Sequence, residues 1–130
     1  MIKTLKTSSR NETQASAENL NAESVTEGFQ LVLCSCPDEA TAINIAENIV
    51  AQRLAACVNI LPESYSIYHW QGNVESAREH IMLIKTLQSH YPALEKVIAA
   101  LHPYEVPEII SFAINSGLPY YLKWIESSIT

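Results

Sequence analysis

Two strand-like stretches of unusual length, separated by Gln71, Gly72 and Asn73, constrain this chain more than any other feature. The first runs from Cys57 through Tyr65-Ser66-Ile67-Tyr68-His69-Trp70, and the second ends at Ile81-Met82-Leu83-Ile84-Lys85-Thr86. Each arm is about 12–14 residues, or roughly 40–45 Å at the rise of a strand. A domain of this size has a radius of gyration of only ~13 Å, so the hairpin overhangs its own core. Its outer part carries Tyr65, Ile67, Tyr68 and Trp70, groups that are costly on an unpaired edge. A bulged hairpin folded back on itself is one solution. Pairing with another subunit is the other, and the aromatic content favours it.

The elements around this hairpin set the fold class. Phe29-Gln30-Leu31-Val32-Leu33-Cys34 is a short apolar run of strand length. Pro37, Asp38 and Glu39 open a helix, with proline in its first turn and acids at the positive end of the dipole. Ala42, Ile45, Ala46, Ile49 and Val50 continue it at helical spacing. Beyond the hairpin, Leu94, Val97, Ile98 and Leu101 mark a second helix, stopped by His102-Pro103. Pro107 to Ile114 reads as a last strand, and Pro119 opens a terminal helix that docks through Tyr121, Leu122, Trp124, Ile125 and Ile129. The order β-α-β-β-α-β plus a helix predicts an α+β, ferredoxin-like antiparallel sheet with both helices on one face and a long hairpin between its second and third strands. In that plan the last strand lies antiparallel to the first, so the loop before Pro107 sits near Cys34 and Cys36. Cys57 falls at the other end of the sheet.

Residues 1–26 are Ser, Thr, Asn, Glu and Ala with scattered hydrophobes, and read as a mobile tail ahead of a domain over 27–130. Of the 130 residues, 48% are hydrophobic and 17% charged, enough apolar material for one core. The formal charge of −6 lies wholly outside the tail, where only Arg53, Arg78, Lys85, Lys96 and Lys123 are cationic. Nucleic acid is therefore an unsuitable partner, and no apolar run reaches a membrane span. Three cysteines, two of them in Cys34-Ser35-Cys36, with no apolar leader segment, point to reduced thiols in the cytoplasm.

Several residues are candidates for chemistry. Cys34 and Cys36 face one side of an unbroken strand and suit a soft ion such as Cu(I); the alternative is two small buried hydrophobes. Cys34 is the stronger ligand candidate, His102 is its natural second ligand, and Cys57 belongs with the core. Between Pro103 and Pro107, Tyr104 and Glu105 are presented stiffly beside His102, as recognition of a ligand or ion requires; the alternative is packing, with Glu105 paired to Lys85. Lys85, after four apolar residues, either snorkels to an edge or serves a cleft. Glu75 and Glu79 share a face, and on an exposed hairpin a solvated or inter-subunit role suits them best. His69, His80 and His90 have no zinc-type spacing.

Six segments together resemble the CutA family of divalent-cation tolerance proteins. They are Cys-Pro-Asp-Glu-Ala-Thr-Ala (36–42), Leu-Ala-Ala-Cys-Val-Asn-Ile (54–60), Ser-Ile-Tyr-His-Trp-Gln-Gly (66–72), Ile-Lys-Thr (84–86), His-Pro-Tyr-Glu-Val-Pro-Glu-Ile-Ile (102–110) and Tyr-Leu-Lys-Trp (121–124). The resemblance implies a cytoplasmic homotrimer, similar in architecture to PII signalling proteins, that serves tolerance of copper and other divalent metals and has no agreed catalytic reaction. Tyr68, Trp70, Lys85, His102, Tyr104 and Glu105 become the ligand-binding candidates, and Cys34 with His102 the metal ligands, for copper or another divalent metal and no organic cofactor. Some relatives carry a further histidine where this chain has Leu101, which removes one ligand. An acylphosphatase-type enzyme is the alternative on this strand order, but it needs cationic or backbone donors around a phosphate, and only Gly28, Gly72 and Gly117 are glycine. An RNA-recognition domain needs aromatics on its central strands and a basic rim, where this chain offers Leu31, Leu33, Met82 and Ile84.

Overall fold

The computed structural model describes residues 2–5 and 28–130. Strand β1 is Ile2–Leu5. It is followed in the described chain by β2 (Phe29–Cys36), α1 (Glu39–Ala51), β3 (Cys57–Trp70), β4 (Asn73–Leu87), a single 3-10 turn (Gln88–His90), α2 (Tyr91–Leu101), β5 (Tyr104–Val106), β6 (Ile109–Ala113) and α3 (Pro119–Ile129). The main sheet is antiparallel in the order β3-β4-β2-β6. This is the ferredoxin-like arrangement expected from the sequence, with α3 as its addition.

Period-two alternation divides the sheet into two faces. Val32, Cys34, Cys36, Met82 and Ile84 pack with Ala42, Ile45 and Ile49 of α1 and Leu94, Val97 and Ile98 of α2 to form the main core. Ile125 and Ile129 of α3 close a second cluster with Phe29 and Leu87.

Local sequence explains the ends of the elements. Helix α1 starts two residues later than its proline suggested: Asp38 is the N-cap, its carboxylate accepting from the Thr41 N–H at 2.8 Å, and Pro37 precedes the cap. That bond holds the Asp38 carboxyl below its ordinary value, so its stabilisation is present above about pH 4 and lost on acidification. Asp38→Ala should cost about 1 kcal/mol, read as a lowered denaturation midpoint at neutral pH that converges with wild type in acid.

The hairpin turn consists of Gln71 (φ 50°) and Gly72 (φ 82°). Two successive positive φ values make the type I′ geometry that matches strand twist. Pairing runs from Cys57↔Lys85 to Trp70↔Asn73, broken once where Leu61 pairs Ile81 and Ser64 pairs Glu79. The two intervening residues of β3, Pro62 and Glu63, oppose His80 alone, a bulge at a residue that has no N–H to give. The hairpin therefore stays extended, leaving Tyr65 66% and Ile67 72% exposed.

One feature departs from the expected plan. Ile2–Leu5 pairs antiparallel with Tyr104–Val106, Leu5 opposite Tyr104. A mobile tail over 1–26 does not describe those four residues; the remainder of that expectation lies outside the described residues. The stiff segment between Pro103 and Pro107 thus contains a short strand, and β6 begins only after Pro107 and Glu108.

Candidate metal centre

The top of β2 brings Cys34, Ser35 and Cys36 to the end of the sheet. Cys34 lies opposite Met82, and Cys36 opposite His80. Both cysteines are fully buried on the helix-covered face. From the other direction, α2 ends because Pro103 restricts its predecessor to extended backbone, and His102 adopts φ −79°, ψ 137° as its C-cap. The chain turns there toward β2 and buries the His102 ring. The ligand atoms of Cys34, Cys36 and His102 all lie within 4.8 Å of one another.

Hydrogen bonds fix the imidazole. The Tyr104 backbone N–H donates to His102 Nδ1 at 3.1 Å, so Nδ1 is an acceptor and the proton is on Nε2. That proton is donated to the Ser35 carbonyl at 2.8 Å. The ring also stacks at a tilt on Tyr104, with centroids 4.8 Å apart. A metal ion taking Nδ1 must displace the Tyr104 N–H; one taking Nε2 must displace its proton and the Ser35 contact.

The two thiols differ. Cys36 is pulled down to about 6, chiefly by the hydrogen bond from Cys34 and further by His102, against the opposing effect of burial. Cys34 is pushed well up by its hydrogen bond with Cys36, by burial and by the neighbouring charge. Cys36 is therefore the first to become a thiolate, the form that binds metals. Its Sγ also lies 3.4 Å from Met82 Sδ.

A second group adjoins the cluster through Tyr104. The phenol donates to Glu79 Oε2 at 2.7 Å, and Ser66 Oγ donates to Oε1 at 2.5 Å. Burial and the Glu79 carboxylate push the Tyr104 phenol well above its ordinary value, so it remains a donor. Glu79 is fully buried, not a solvated hairpin carboxylate.

Of the ligand-binding candidates, His102 and Tyr104 join Cys34 in one hydrogen-bonded region. Tyr68 is half-buried on β3, opposite Glu75. Trp70 is at the turn opposite Asn73, and Glu105 is exposed on β5. Lys85 is on the other face of the sheet, opposite Leu31 and Cys57, where its ammonium bonds the Asn59 side-chain oxygen. Cys57 itself is half-buried there, its sulfur 3.4 Å from the Tyr121 hydroxyl. The Cys-x-Cys spacing signalled Cys36. Nothing in the sequence signalled Met82 or the burial of Glu79, because both depend on strand register.

Fold and site together define a small ferredoxin-like α+β domain that buries two thiols and an imidazole together at one end of its sheet. A family model described as "CutA1 divalent ion tolerance protein" matches residues 30–128, and the chain belongs to that family. It is 46% identical over 100 residues to Protein CutA homolog of Danio rerio, covering 77% of this chain and 67% of that protein. It is 40% identical over 99 residues to the divalent-cation tolerance protein CutA of Citrobacter koseri, covering 76% and 86%. The match to Protein CutA of Mus musculus, 46% identical over 92 residues, covers 71% of this chain and spans about half of that relative, 52%. Among solved structures, CutA from Xylella fastidiosa superposes with a TM-score of 0.77 at 43% identity, over 78% of this chain and 98% of that one. The Archaeoglobus fulgidus structure, described as a periplasmic divalent cation tolerance protein, does so at 0.77 and 30% identity, over 78% and 99%.

Proposed function

We propose that this chain is a homotrimeric, metal-responsive binding and signalling protein that serves tolerance of divalent cations, holding a metal such as copper at Cys34 and His102 with Cys36 beside them. The observation that carries this reading is the convergence of three buried ligand atoms within 4.8 Å. Its relatives described as divalent-cation tolerance proteins support the biological setting. The acylphosphatase alternative gains nothing from the fold: the N-terminus of α1, where an anion would dock, is occupied by the Asp38 carboxylate. Free Cys34, Cys36 and Cys57 accord with a reducing, cytoplasmic setting, and no described helix is long and apolar enough to cross a membrane.

The trimer rests on more than the hairpin. The register places Leu31, Leu33, Ile81, Leu83, Ile110 and Phe112 on the face away from α1 and α2, with Ile110 43% and Phe112 48% exposed. The sheet order ends in two different edges, β3 and β6. Unlike edges suit a head-to-tail contact, which closes into a ring, and an apolar sheet face needs a second layer. Two more copies of this chain supply both.

The test is anaerobic titration of the reduced protein with Cu(I) and with Zn(II), with native mass spectrometry counting metal per assembly. We expect a stoichiometric ion in each subunit, at least tenfold weaker in Cys34→Ala (~1.4 kcal/mol,) and unaffected in Cys57→Ala. Equal affinity in wild type and Cys34→Ala removes Cys34 from the site.

A further inference from the structure

We infer that Met82 is a fourth ligand of the centre, and that the resulting set of three sulfurs and one imidazole selects monovalent copper over the divalent cations. The inference rests on the reading of Cys34, Cys36 and His102 as a metal centre and concerns which ion that centre takes.

Three observations converge on Met82. It stands opposite Cys34 across β2 and β4. Its Sδ is 3.4 Å from Cys36 Sγ. It is fully buried, as are both cysteines, while His102 is only 2% exposed. The thioether is therefore a buried donor beside the Cys36 sulfur, on the strand position facing Cys34.

The chemistry of the donors decides the ion. A thioether is a neutral, polarizable donor, used for Cu(I) and poorly suited to Mg²⁺, Ca²⁺ or Mn²⁺, which take oxygen. Open zinc sites with three protein ligands keep a water in the fourth position. Here that position falls in a sealed interior already lined by sulfur. With both cysteines bound as thiolates the set carries two negative charges, so the selection of the ion rests on donor softness and on the dry fourth position, not on charge balance. Cu(I) satisfies donor softness and coordination without water together.

The test compares the reduced full chain with Met82→Leu, which is close in volume and keeps the core filled. Cu(I) affinity is read by competition with a chromophoric Cu(I) chelator, Zn(II) affinity by a separate titration, and sulfur count by X-ray absorption of the Cu(I)-loaded protein. Wild type should bind Cu(I) more tightly than Zn(II) and show three sulfurs and one nitrogen. Met82→Leu should lose one sulfur and weaken Cu(I) by about tenfold or more, the scale of a lost supporting group at a metal site, with Zn(II) unchanged. If that variant fails to fold, the sulfur count of the wild type decides alone: two sulfurs exclude Met82. Cu(I) binding that depends on Cys34 but not on Met82 sinks this inference and leaves the centre standing. Tighter Zn(II) than Cu(I) overturns the selectivity, and binding of neither ion overturns both readings.

Discussion

Phe112→Asp should convert the assembly to single chains at micromolar concentration, while Phe112→Leu should leave it intact. Phe112 lies opposite Leu31 on the sheet face that α1 and α2 leave open, and is 48% exposed in the lone subunit. Its replacement therefore acts on what covers that face more than on the subunit core. Fully burying a phenylalanine is worth about 1.5–3 kcal/mol, and a ring uses the position three times. A carboxylate there adds an uncompensated buried charge, at several kcal/mol per subunit. Light scattering should give three times 14.5 kDa for wild type and 14.5 kDa for Phe112→Asp. The thermal midpoint should depend on concentration only in the former. A wild-type mass of one chain would end the trimer reading, and an undiminished Phe112→Asp assembly would move the interface away from this face.

The class of fold was legible because its signals are local. Helical spacing in Ala42, Ile45 and Ile49, the stop at His102-Pro103 and the turn at Gln71-Gly72 each sit within a few residues of one another, and together they leave few topologies. The neighbourhood of Cys34 and His102 followed from strand order alone, and the 2.8 Å bond from His102 to the Ser35 carbonyl places them together. What was not legible depends on register and on chain entering from elsewhere. The bulge at Pro62 and Glu63 shifts the outer hairpin by one residue, and Tyr104 then covers Glu79, so a carboxylate that reads as solvated is buried. Met82 reads as one apolar residue in a run, because only the pairing with Cys34 shows what it faces. Lys85 follows the same rule in the other direction: the packing alternative paired it with Glu105, but its parity puts it on the face away from Cys34 and Cys36, where its ammonium bonds Asn59. Ile2–Leu5 pairs with a strand about 100 residues later in the chain, and pairings over such separations leave no periodic trace in a short polar segment.

Acidification from pH 6.5 to 4 should destabilise the metal-free protein through His90, by up to about 3 kcal/mol at constant protein concentration. His90 is 3% exposed between α2 and the end of α3. Its Nε2–H donates to the Ile129 carbonyl at 3.3 Å, and Ser89 Oγ lies 3.4 Å from Nδ1. A helix C-terminus favours a cation, and the Ile129 bond pulls in that direction, but burial outweighs it and lowers the imidazole to about 4. Below pH 6.5 the unfolded chain takes up a proton that the folded chain refuses until about pH 4. Stability therefore falls across that window as pH falls, and His90 contributes nothing to the slope above it. The window is separate from that of Cys36, whose lowered thiol acts between about 6 and 9, and from that of Asp38, which acts below about 4. His90→Gln keeps a donor for the Ile129 carbonyl but has no proton to take up. Its denaturation midpoints at pH 4.5 and 7.5 should differ less than those of wild type, and hydrogen-exchange protection in Pro119–Ile129 should fall less in acid than it does in wild type. Parallel stability profiles for the two proteins would show that the tie between α2 and α3 is opened by other groups.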